Sequence, residues 1–322
     1  MKRTASSLWN RIIVVLALAV AEQAQAGPLP AAADQTYINL GDAVAFGVTT
    51  VQNFVPSFAD QGYVSLFADF LATRNGGVRS RVVNLGTPGE TSSSFFTGGQ
   101  PFTTFNLNYP TPTPSQNSLF LTTVASEQAA GREVGVVTIH LGVNDLLNLS
   151  ITPGFFAQPA AQRNAQVQQT LDTVEQNYRT LLTELRGSLP DADLLLLGFY
   201  NPYPVLPGLP PVVTDFAVQS ITAFNDVVSG LAADFGGSYV DIYTPFLGHE
   251  ADYTYILQPN TSIDPPRNNV HPTALGYEVI AAQLEAAAVP EPGSMMLIVC
   301  GLIVLVGGAG RRRSIRRLHF SD

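Results

Sequence analysis

The groups able to do chemistry in this chain stand where short apolar stretches end. Gly41-Asp42-Ala43 follows Thr36 to Leu40, and Gly86 follows Arg81 to Leu85. Asn144-Asp145 follows the apolar run Val134 to His140, and His271 stands in Arg267-Asn268-Asn269-Val270-His271-Pro272, ahead of a helical stretch. An imidazole exchanges a proton near neutral pH. A neutral amide donates a hydrogen bond without bringing a proton to lose. Such groups, gathered at one place, suit acyl transfer, provided that something attacks the carbonyl. Each also has a plain structural reading. Gly41-Asp42 and Gly86 make turns, Asn144 caps a helix, His140 packs against a sheet end, and His249 sits exposed in a loop.

The elements that must position these groups follow from periodicity. Thr36 to Leu40, Arg81 to Leu85, Val134 to His140, Asp193 to Phe199 and Ser238 to Ile242 are β-prone, and Val134 to His140 is apolar enough for the middle of a parallel sheet. Helices are predicted over Asp60 to Arg74, Asn117 to Ala130, Ala160 to Leu185, Asp215 to Phe235 and from Thr273 to about Ala288. Val167, Leu171, Val174, Tyr178, Leu181 and Leu185 recur at intervals of three and four, which is a core face. Phe95 to Ser115, Tyr200 to Pro211 and Tyr243 to Pro266 read as loops. Strands alternating with helices predict an α/β, three-layer α/β/α architecture with a five-stranded parallel sheet. Groups placed just after strands then meet at the sheet's carboxyl edge.

The order Gly41-Asp42-Ala43, Gly86-Thr87-Pro88-Gly89-Glu90-Thr91, Gly142-Val143-Asn144-Asp145 and Asn268-Asn269-Val270-His271-Pro272 resembles the four blocks of the SGNH (GDSL) hydrolases. The resemblance covers about Thr36 to Ala288 and implies a flavodoxin-like serine esterase or lipase scaffold that needs no cofactor or metal. It implies Gly86 and Asn144 as oxyanion donors, His271 as general base, and Gly41 and Asp42 as loop support. Two positions depart from the family. Ala43 replaces the nucleophilic serine, and a methyl group cannot attack a carbonyl. Asn268 replaces the aspartate that orients the base. Ser92, Ser93 and Ser94 are displaced hydroxyls that would have to lie within hydrogen-bond reach of His271 to serve instead. The expectation is a hydrolase-like protein for carbohydrate or lipid esters with weak or absent activity; the alternative is a non-catalytic glycan- or ester-binding or matrix protein.

The two ends read as processing segments flanking a domain over residues 34–288. Lys2, Arg3 and Arg11, the apolar run Ile12 to Val20 and Ala24-Gln25-Ala26 form a signal-peptide pattern over residues 1–26. Pro290-Glu291-Pro292, an apolar stretch from Met295 and Arg311-Arg312-Arg313 follow the domain. The order over residues 289–313 resembles the PEP-CTERM sorting signal, which implies an exosortase-type processing partner. It also implies transient membrane contact through that segment and delivery to the surface or matrix of a Gram-negative bacterium. Residues 27–289 carry 8 arginines, no lysine and 22 carboxylates. A body so acidic is not expected to bind nucleic acid or anionic membrane non-specifically. The single cysteine, Cys300, lies in the apolar tail, so the body has no disulfide framework or thiol nucleophile.

Overall fold

Every residue from Gln35 to Gly41 is buried, and these seven form β1, an inner strand of the sheet paired on both sides. The computed structural model describes residues 35–48, 56–260 and 267–288. The signal-peptide and sorting-signal patterns lie outside the described residues. Among the described residues no helix is long and apolar enough to cross a membrane.

The strands are β1 (Gln35–Gly41), β2 (Arg81–Asn84), β3 (Glu133–His140), β4 (Asp193–Leu197) and β5 (Ser238–Val240). They run parallel in the order β2-β1-β3-β4-β5. The main helices are α2 (Gly62–Arg74), α4 (Gln116–Ala129), α6 (Ala160–Ser188), α7 (Pro211–Asp234) and α10 (Ala274–Ala288). Short helices fill the connections: α1 (Ala43–Phe46), α3 (Ser94–Thr97), α5 (Val143–Ser150), α8 (Tyr243–Phe246) and α9 (Glu250–Tyr253). The α/β reading therefore holds. Because the strand order reverses between β1 and β3, a crevice opens beyond their carboxyl ends, where ligands of open α/β sheets bind.

Several boundaries moved for local reasons. The helix predicted from Asp215 begins at Pro211, because proline lacks an N–H to lose and its fixed φ suits a first turn. β4 stops at Leu197: Asn225 takes both backbone groups of Phe199, the N–H at 2.7 Å and the carbonyl at 2.9 Å, and so ends the ladder. The loop read over Tyr243 to Pro266 holds α8, α9 and, with Arg267–Asn268, a two-stranded hairpin of β6 (Pro259–Asn260) and β7 (Arg267–Asn268). Phe95 to Ser115 contains α3 and a 3-10 turn over Pro101–Phe105.

Under the sheet's active edge lies a buried polar cluster that periodicity does not reveal. Asn39 and Asn84 stand side by side on β1 and β2. Asn39 Oδ1 accepts from Tyr63 (2.7 Å) and Thr138 (2.6 Å). Its amide donates to Asn84 Oδ1 at 2.7 Å. Asn84 in turn donates to the carbonyls of Ala45 and Ala59, both at 2.7 Å. These bonds tie α1 and the segment at Ala59 to the sheet. Buried amides held this fully fix one arrangement, because any other leaves an unpaired polar group.

Candidate active site

Position 43 is set by the turn from β1 into α1. Gly41 has φ +143, and a Cβ there would lie 2.0 Å from the His140 carbonyl oxygen, so only glycine fits. Asp42 follows, 2 % exposed. Its N–H donates to the His140 carbonyl at 3.1 Å and its Oδ1 accepts from the Val44 N–H at 2.9 Å. Asp42 thus caps α1, and Ala43 opens that helix half-buried. The Ala43 N–H has no acceptor among the described residues.

His140 packs as expected, stacked on Phe199 with ring centroids 4.8 Å apart. It does more than pack, since its Nδ1 lies 3.2 Å from Asp42 Oδ1. Gln116 braces the same turn from α4. Its Oε1 accepts from the Gly41 N–H at 2.7 Å, and its Nε2 donates to the Gly41 carbonyl and to Glu90 Oε2, each at 3.0 Å. The loops after β1 and β2 are thereby one unit.

Gly86 does not have the free N–H expected of it. That group donates to Asn84 Oδ1 at 2.8 Å, and a side chain at 86 would collide with the backbone of Phe46. Gly86 is there for close packing of the loop on α1. The open donor in this loop is Gly89. It is exposed, has φ +82, and its N–H has no acceptor among the described residues. Thr87-Pro88-Gly89-Glu90 closes with the Glu90 N–H on the Thr87 carbonyl at 3.1 Å. Proline second and glycine third in a turn, the latter at positive φ, is a type II turn. The Pro-Gly pair in the sequence was the signal for it.

Asn144, in the first turn of α5, reaches the same loop. Its Nδ2 donates to the Glu90 carbonyl at 2.8 Å, which uses one of its two hydrogens. The three serines are otherwise engaged. Ser92 is fully buried: its Oγ donates to Asp145 Oδ1 at 2.9 Å and accepts from Asn177 at 2.9 Å. Ser94 Oγ donates to Glu90 Oε1 and accepts from Gln100. Ser93 is exposed, with Asn177 3.3 Å from its hydroxyl. No hydrogen bond joins any of them to His271.

His271 lies between β7 and α10. Tyr200 donates to the Val270 carbonyl at 2.7 Å, and the Tyr255 N–H donates to the His271 carbonyl at 3.0 Å. The group on the ring is Asn269, two residues before, not the position three residues before at which the resemblance put the orienting side chain. Asn269 Oδ1 is 2.7 Å from His271 Nδ1 and 3.1 Å from the His271 backbone N. A backbone N–H can only donate, so the amide oxygen must face it. The same oxygen then faces Nδ1, which must carry the ring proton. Nε2 is left with its lone pair outward. An asparagine two residues ahead of the group it holds is an Asx turn, which Asn269-Val270-His271 permits.

Burial pushes the His271 ring down to about 4, and the negative charge of Asp42 works in the opposite direction. At neutral pH the ring is therefore uncharged, a receptive but weak base. Glu90 goes the other way. Burial raises its carboxyl to about 7, opposed by the hydrogen bonds from Ser94 and Gln116 and assisted by the charges of Asp42 and Asp145.

Glu90 carries a prediction. Its folded value lies above its unfolded value of about 4.5, so its contribution to stability is complete below pH 4.5 and is lost as pH rises through 7. Glu90→Gln has no such proton. Between pH 4.5 and 8 the unfolding free energy of the native protein should fall relative to that of Glu90→Gln, by up to about 3 kcal/mol. Denaturant titrations of both proteins at pH 5 and pH 8 measure this; parallel pH dependences would mean that the carboxyl ionises normally.

A cavity of about 160 Å³ lies one residue along the chain from Asn144 and from His271. Val143 and Val270, the residues immediately before them, are in its wall with Leu146, Phe156, Phe199 and Phe216.

The family model for GDSL-like lipases and acylhydrolases matches residues 40–279. The chain belongs to that family. A spore germination lipase of Bacillus licheniformis is 29 % identical over 117 residues, 35 % of this chain and 46 % of that protein. The match thus spans under half the length of that relative. An extracellular lipase from Streptomyces rimosus superposes with a TM-score of 0.54 at 19 % identity, over 79 % of this chain and 99 % of that one. Phospholipase A1 from Streptomyces albidoflavus gives 0.53 at 20 % identity, over 78 % and 98 %. At such identities the structural likeness speaks for the fold.

Proposed function

We propose that this is an exported ester-binding protein on a GDSL hydrolase scaffold, in which the covalent route of hydrolysis is lost. The observation that carries the reading is Ala43 at the head of α1, the position at which the family resemblance puts the nucleophile, while His271 and Asn144 are retained. The ester carbonyl sits with its oxygen toward the Ala43 N–H, the Gly89 N–H and the free hydrogen of Asn144 Nδ2. Residual turnover is attack by water. His271 Nε2 takes the water's proton as the water oxygen bonds to the carbonyl carbon, and the carbonyl electron pair moves onto the oxyanion. Collapse of that intermediate expels the alkoxide, which takes the proton back from Nε2. The depressed basicity of His271 makes this slow and favours the second reading, that the protein holds esters or glycans without turning them over.

The substrates fit the names of the relatives, which are lipases and a phospholipase. A fluorophosphonate that reacts with activated serines tests the proposal. The native protein should stay unlabelled and should hydrolyse an activated ester without an initial burst. Labelling at Ser92, Ser93 or Ser94, together with a burst, would overturn it.

Export and processing belong to the same reading, supported by the order of basic, apolar and small residues at one end and of Pro-Glu-Pro, apolar and arginine residues at the other. The mature secreted protein should begin after Ala26 and lack Arg311 to Arg313. Intact-mass spectrometry of protein from its own producer decides this; a surface form that retains either end would remove the corresponding cleavage.

A further inference from the structure

We infer that the site selects esters whose acyl group is a compact apolar unit of about six carbons, aliphatic or phenyl. This rests on the ester-binding reading and adds the size and chemistry of the group bound. The cavity of about 160 Å³ has in its wall Val143 and Val270, the residues immediately before Asn144 and His271. On this inference the acyl chain of an ester held by Asn144 enters this neighbouring cavity.

The wall says what that chain is. Ser150 and Ser220 line it, yet both hydroxyls are turned back onto their own helices, to the carbonyls of Leu147 at 2.7 Å and Phe216 at 2.6 Å. Tyr203 is the only other side-chain hydroxyl in the lining. A sugar placed there would give up its hydrogen bonds to water for too few replacements. The sugar or glycerol part of an ester must lie on the other, polar side of the carbonyl.

The far wall sets the length. Phe156 and Phe216 meet edge to face with centroids 5.5 Å apart, and both rest against the buried Phe155 at 5.1 and 5.3 Å. Three interlocked rings resist displacement by a longer chain. An apolar cavity of about 150 Å³ is known to take benzene. An acetyl group would leave most of this one empty, and a long acyl chain would exceed it.

Calorimetric titration of the native protein with methyl acetate, methyl hexanoate, methyl phenylacetate and methyl dodecanoate tests the inference. Four more buried methylenes should make the hexanoate bind roughly 100-fold more tightly than the acetate. Methyl phenylacetate should match the hexanoate, and dodecanoate should gain nothing further. Val213→Phe, which fills the cavity from its half-buried side, should weaken hexanoate at least tenfold and leave acetate unchanged. Phe216→Ala should let affinity keep rising to dodecanoate. Equal affinity for acetate and hexanoate, or an unbroken rise to dodecanoate in the native protein, would overturn it. Should the native protein prove to be a serine hydrolase, the same size dependence would appear in KM, so that failure and this one are separable.

Discussion

Ala43→Ser should raise turnover of an activated ester by at least about 100-fold. Removing the serine of a complete triad costs roughly 10⁶ in kcat, and replacing the orienting aspartate by asparagine in a serine protease costs about 10⁴ by imposing the wrong tautomer. The first loss is what Ala43→Ser reverses. The second is smaller here than in that precedent, because Asn269 Oδ1 is fixed by the His271 backbone N–H and keeps the proton on Nδ1. What stays missing is a carboxylate to stabilise the imidazolium against the burial that pushes the ring down to about 4. Space is not an obstacle, since Ala43 is only half-buried.

Activity of Ala43→Ser should rise through pH 4 and be level across neutrality, because His271 is already unprotonated there. Adding Asn269→Asp should move that limb upward and raise turnover again, by more than Asn269→Asp achieves with Ala43 in place, since members of one catalytic unit are not additive. The measurement is turnover of one ester by the four purified proteins across pH 3.5 to 8. A folded Ala43→Ser protein no faster than the native one, or one unaffected by His271→Ala, would show that position 43 does not face the carbonyl.

The sequence announced the α/β layers and the places where chemistry collects, since both depend on signals local to strand ends. β1 and β3 are short apolar runs closed by glycine, and Gly41 and Gly142 mark where backbone must turn at close quarters. Less legible was how bonds are shared out inside the site. Gly86 and Gly89 both lie in the loop after β2, and only the distance from Gly86 N to Asn84 Oδ1 reveals which N–H is already taken. Asn268 and Asn269 are adjacent and identical in type. Which one meets the ring is decided by how β7 delivers the chain, which no local pattern records. Ser92 looked like a spare nucleophile until Asp145 and Asn177, distant in sequence, closed around it.

Asn84→Ala should destabilise the protein by about 4 kcal/mol or more, although Asn84 touches no substrate. Its side chain is wholly buried and serves four partners. It donates to the carbonyls of Ala45 and Ala59, and it accepts from the Asn39 amide and the Gly86 N–H. Alanine removes all four bonds at once. The Asn39 amide still has the Ala45 carbonyl, 3.1 Å away, so that carbonyl keeps one donor. The Ala59 carbonyl loses the Asn84 amide and the Gly86 N–H loses its acceptor, each at a cost of about 1–3 kcal/mol, with the emptied volume added. In a domain of this size that is a fall of roughly 10 °C or more in Tm. Asn148→Ala, on the exposed face of α5, should cost no more than about 0.5 kcal/mol and serves as the control. Denaturant unfolding of the three proteins measures the difference. The same substitution frees the Gly86 N–H and unties α1, so ester affinity should fall in Asn84→Ala even at temperatures where it remains folded. An Asn84→Ala protein within 1 kcal/mol of the native one would mean that water replaces the amide, and that the cluster fills space beneath the site without holding it.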